Sequence, residues 1–103
     1  MPFPTKVGFR QFLTEHHDEP VGIAGLSREC PLAECLKARG CQQIHVGPGE
    51  SWWYEVVAPD VAGGVAIYKE CKTPKWAERF IALIDAASSF VTLTGLEALK
   101  FLR

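Results

Sequence analysis

Apolar residues recur at spacings of three and four near the start of the chain. Phe9, Phe12 and Leu13 predict a helix with one buried stripe, capped by Thr5 and fading near His16. Asp18-Glu19-Pro20 interrupts that pattern, because the residue before a proline is pushed out of the helical region. Val21 to Ser27 is too rich in glycine for a regular element and is expected to be a loop that buries Val21, Ile23 and Leu26. A second helix is expected to begin at Pro31, whose fixed φ suits a first helical position, and to end at Gly40. Its apolar stripe is Leu32, Cys35 and Leu36.

The period then shortens from helical to two. Ile44 and Val46 alternate with Gln43, His45 and Gly47, and Gly47-Pro48-Gly49-Glu50-Ser51 supplies turn chemistry before the aromatic run Trp52 to Val57, which predicts a hairpin. Ala58-Pro59-Asp60 ends the second strand, Gly63-Gly64 makes a further break, and Val65 to Glu70 alternates as a third strand.

Helical spacing returns in the last third. Thr73-Pro74 places a cap before a first-position proline, and Trp76, Ala77, Phe80, Ile81 and Ile84 trace one face. Thr94-Gly95-Leu96-Glu97 is a capping box, with Leu93 placed to staple against Ala98. A last helix carrying Leu96, Leu99 and Leu102 is expected to pair with the preceding one as a hairpin. The fold class is therefore α+β: a single small domain over residues 1–103, in the order α-α-β-β-β-α-α, with helices packed on a three-stranded antiparallel sheet.

Composition supports one core. The chain has 103 residues, of which 48% are hydrophobic and 22% charged, ordinary values for one globular domain. No run approaches the roughly 18 apolar residues of a membrane span, and the opening Met-Pro-Phe-Pro-Thr-Lys lacks the basic-then-apolar order of a secretory signal. A soluble, cytoplasmic protein with no membrane partner is expected. Charge is nearly balanced, at −3 over residues 1–60 and +2 over residues 61–103. Lys69, Lys72, Lys75 and Arg79 are interrupted by Glu70 and Glu78, which reads as a solvated face and makes nucleic acid an unfavoured partner. A helix-turn-helix over the last two helices is unfavoured as well, because the link from Ala86 to Thr94 is longer than its usual turn.

The most concentrated chemistry lies between Cys30 and His45, which hold three of the four cysteines and one of the three histidines. Cys30, Cys35, Cys41 and His45 are separated by four, five and three residues. Over these sixteen residues the spacing resembles the three-cysteine, one-histidine zinc fingers, although Gln43 stands where those fingers usually carry an aromatic. The resemblance implies Cys30, Cys35, Cys41 and His45 as zinc ligands. The helix signals from Pro31 to Gly40 oppose it, since helical residues five apart lie about 140° apart around the axis. Packing is the preferred reading and no cofactor is expected, free cysteine being among the most buried residue types. Cys30 also sits at a helix start, where the dipole favours a thiolate, but no second cysteine follows three residues on. His16 and His17 fall at the end of the first helix, where an imidazolium meets the dipole favourably.

The aromatic strand is the best candidate for a contact surface. Trp52, Tyr54 and Val56 face one way and Trp53, Glu55 and Val57 the other. The first set is the more continuously apolar and is assigned to the core, which leaves Trp53, with His45 and Tyr68, on the outer face unless the N-terminal arm covers it through Phe3. Three functions follow. The preferred one is a non-enzymatic protein-interaction or accessory domain, binding another protein or a second copy of itself through the outer face or an edge of the sheet. The alternatives are a zinc-binding nucleic-acid module and a thiol redox protein using Cys30.

Overall fold

The computed structural model describes residues 2–57 and 64–103, so the predicted breaks at Ala58-Pro59-Asp60 and at Gly63 lie outside the described residues. Along the chain run α1 (Lys6–Glu15), β1 (Pro20–Ile23), α2 (Pro31–Ala38), β2 (Cys41–Val46), β3 (Glu50–Val57), β4 (Val65–Lys72), α3 (Lys75–Ser88), β5 (Thr92–Thr94) and α4 (Gly95–Leu99). The fold is α+β, with four helices among the described residues, a three-stranded antiparallel sheet in the order β2-β3-β4, and a separate two-stranded sheet of β1 with β5.

Local signals operate where the sequence places them. Thr5 caps α1 by accepting from the Gly8 amide at 3.0 Å. Pro31 is the first residue of α2. At α4 the Thr94 hydroxyl accepts from the Glu97 amide at 3.2 Å while the Glu97 carboxylate accepts from the Thr94 amide at 3.0 Å, the full capping box. The β2–β3 hairpin and β4 form as expected, β4 continuing to Lys72. Ala77, Phe80, Ile81 and Ile84 of α3 are buried, and Phe80 meets Phe9 of α1 edge-on at 5.0 Å.

Three expectations change. Residues 20–23 are a strand rather than a loop: Pro20, Gly22 and Ile23 pair antiparallel with Thr94, Leu93 and Thr92. Gly22 allows this, because a Cβ there would lie 2.6 Å from the Glu29 carbonyl oxygen and 2.7 Å from the Pro31 nitrogen. Val21 is buried as expected, but Ile23 and Leu26 are only half-buried.

Thr73 does not cap α3, whose N-cap is Pro74. Its buried hydroxyl donates to the Gly47 carbonyl at 2.6 Å and lies 2.7 Å from the Ser51 hydroxyl, fastening the end of β4 to the β2–β3 turn.

The last helix is short, ends at Leu99 and packs on α1 and β1 rather than pairing with α3. Gly95 brings its first amides onto the end of α1. The Gly95 amide donates to the His16 and Glu19 carbonyls at 3.2 Å each, and the Leu96 amide to the His17 carbonyl at 2.9 Å. A Cβ at position 95 would lie within 2.1 Å of the Leu13 carbonyl oxygen, so only glycine admits the approach. Leu96 is exposed instead of forming a stripe with Leu102, which is buried.

Candidate functional site

The faces of β3 are the reverse of the sequence assignment. Trp53 is 2% exposed and belongs to the core, with the Phe3 ring 6.2 Å from its own. Trp52 and Tyr54 take the outer face, half-buried. The arm therefore does cover Trp53 through Phe3, but on the inner side of the sheet. The cause is a contact between strands: Ser51 shares that inner face and is held by Thr73, 22 residues on, so the anchored half of β3 is set by a polar contact. An apolar count along the strand gives that contact no weight.

On the outer face His45 lies opposite Trp52, and their rings stack at 4.0 Å with 15° between planes. Gly47 makes room for the imidazole, since a Cβ there would lie 2.8 Å from Nε2. Tyr54 lies opposite Tyr68, edge to face at 5.4 Å, and the Tyr68 hydroxyl donates to the Glu70 carboxylate at 3.1 Å. Partial desolvation, and next the Glu70 carboxylate, raise the Tyr68 phenol above its ordinary value of 10.0. Of the three residues the sequence nominates, His45 and Tyr68 share this face and Trp53 does not. Trp52 and Tyr54 replace it, and the aromatic run could have nominated them had the strand phase been known.

The face continues to the edge of the sheet. β4 pairs only with β3 among the described residues, and Val65, Ala66, Ile67, Tyr68, Lys69 and Glu70 are all exposed, on both faces of the strand. Val65, Ile67 and Tyr68 are 44%, 43% and 46% exposed, and Val57, opposite Val65, is 37% exposed. A long apolar edge strand of this kind presents unpaired amides and carbonyls to any extended chain.

The cysteine run is divided. Cys30, Cys35 and Cys41 are buried. Cys30 lines a cleft of about 150 Å³ with Ser27, His45 and Asp85, whereas Cys35 lines the groove between α1 and α2 beside Gly8 and Phe12. Cys41 pairs across the sheet with Glu55. Among the described residues no three His, Cys, Asp or Glu side chains come together as a metal site. The structure does bring Cys30 and His45 to one cleft, with Asp85 from α3, which no local pattern signals.

Burial pushes the Cys30 thiol from 9.0 up to about 11, against the lowering pull of the Ala33 and Leu32 amides, with Asp85 and Glu34 adding to the rise. Burial likewise raises Cys35 to about 11, partly offset by Arg39. A helix start alone therefore does not make a thiolate here, because desolvation outweighs the dipole. At the end of α1 the His16 ring rests 4.8 Å from Phe12, with Nδ1 3.5 Å from a Glu19 carboxylate oxygen. No helix among the described residues is long and apolar enough to cross a membrane. Comparison with protein families, with curated proteins and with solved structures finds no match to this chain.

Proposed function

We propose that this chain is a small non-enzymatic interaction domain that receives an extended segment of a protein partner along β4, with His45, Trp52, Tyr54 and Tyr68 forming the adjoining surface. The observation that carries this reading is the edge itself: β4 spans eight residues and is exposed on both faces from Val65 to Glu70. Added strands gain affinity from main-chain hydrogen bonds and specificity from alternate side chains. The aromatic face beside the edge offers large, rigid side chains of the type enriched at binding hot spots. Four free cysteines suit a reducing, cytoplasmic setting.

The test is a selection of random extended peptides on the purified domain, followed by NMR mapping. Binders are expected to alternate apolar and polar residues, to shift the amides of Val65 to Glu70, and to be lost in Ile67→Lys. Binders that map to another surface, or that bind Ile67→Lys undiminished, overturn the reading.

A further inference from the structure

We propose that the β4 edge takes a second copy of this chain, β4 against β4 in antiparallel register about a two-fold axis at Tyr68, giving one continuous six-stranded sheet. This rests on the interaction reading above and names its partner. A two-fold axis normal to the sheet preserves its faces, so each residue meets one of the same parity, and the choice of centre decides every pair.

Centring on Tyr68 pairs Val65 to Cys71 and leaves only Lys72 beyond the paired segment, because Val65 then meets Cys71 of the second copy at one end and Cys71 meets Val65 at the other. Ala66 faces Glu70, and Ile67 lies along the stem of Lys69, so no like charges are opposed. Moving the axis one step towards the C-terminus sets Lys69 against Lys69, which repels. Moving it one step the other way, onto Ile67, leaves Cys71 and Lys72 beyond the paired segment.

The outer face argues for the same centre. Tyr54 and Tyr68 are already cross-strand partners at 5.4 Å. Pairing Tyr68 with Tyr68 extends them into a row of four tyrosines across the joined sheet, and aromatic cross-strand pairs stabilise antiparallel sheets. The edge is also sterically open. The molecule measures 43 × 28 × 24 Å, and the exposure of both faces of β4 shows that the helices do not cover its approach. The opposite edge cannot substitute, since the Val46 amide of β2 already donates to the Ser27 carbonyl at 2.9 Å.

Sedimentation equilibrium from about 1 µM to about 1 mM tests the assembly. The mass is expected to rise from 11.4 kDa to twice that value. Tyr68→Lys is expected to weaken association at least about tenfold while keeping the circular dichroism spectrum and, in dilute monomeric samples, the melting temperature, because it opposes two cations at the axis. In a Cys71→Ser background, Tyr68→Cys is expected to cross-link two copies under mild oxidation, and Ile67→Cys is not, being diagonal to its own counterpart. A mass of 11.4 kDa at every concentration overturns the proposal, as does a dimer that survives Tyr68→Lys or cross-links through Ile67→Cys. A monomer that still binds selected peptides on β4 refutes self-pairing alone. One that binds none refutes the interaction reading as well.

Discussion

Among the described residues the two outer strands of the main sheet each pair with β3 alone, yet they are treated oppositely. β2 carries a register slip between Gln42 and His45, with Gln43 at φ 48°, and its last amide is taken by Ser27. Its Cys41, Ile44 and Val46 are buried, and α2 packs against it. β4 pairs residue for residue with β3 from Val65 to Lys72 without a slip, and almost all of it is exposed. Bulges and covering elements blunt an edge, and lysines do so more weakly. β4 has Lys69 and Lys72 at one end and, among the described residues, no such guard over Val65 to Tyr68. One side of the sheet is built to hold the domain together, and the other is left available.

Breaking the anchored side should have the largest effect. Trp53→Ala removes the buried ring under Phe3 and should cost about 3–5 kcal/mol in chemical denaturation, against about 1 kcal/mol for Trp52→Ala on the outer face. Equal losses for the two tryptophans would erase the distinction between faces.

Raising the pH should loosen the same side. Cys30 and Cys35 have folded values of about 11 against an ordinary 9.0. Between those values the unfolded thiols have lost protons that the folded ones keep. Their stabilisation is thus full below pH 9.0 and is lost as the pH rises to about 11. The loss should approach about 2–3 kcal/mol for the buried Cys30, and Cys30→Ala should flatten the profile over that window. A profile as steep in Cys30→Ala as in the parent would remove this thiol from the account.

The joint between the two sides should respond more mildly. Thr73→Val leaves the Gly47 carbonyl and the Ser51 hydroxyl without their partner, at a cost of about 1–3 kcal/mol by thermal unfolding. No measurable change would mean that water replaces the hydroxyl.

The smallest effect on folding is expected on the free side. Tyr68→Lys should leave stability within about 0.5 kcal/mol, since the side chain is nearly half exposed. Hydrogen exchange should be slower in β2 than in the free-edge amides of β4. Equal protection in a dilute, monomeric sample would contradict the contrast between the edges.

Much of the fold was legible because its signals act within one turn. Thr5, Pro31 and the Thr94–Glu97 box mark helix starts through neighbouring amides, and the Gly47–Ser51 turn joins two alternating runs. Legibility failed where partners are distant. Pro20–Ile23 is a strand because Thr92–Thr94 lies beside it, and Gly22 looked like a breaker until the approach of Glu29 to Pro31 gave it a purpose. Thr73 has the sequence context of a cap and the environment of a tether.

By itself the sequence determined the α+β class, most element boundaries, and the presence of an aromatic strand able to present one face outward. Tertiary structure alone decided which face that is. A period of two says that alternate side chains part company but not which set meets the core. That choice turned on Phe3 reaching Trp53 and on Thr73 reaching Ser51, contacts spanning 50 and 22 residues. The exposed edge is likewise a property of strand order, for nothing within Val65 to Lys72 states that β3 will be its one partner among the described residues.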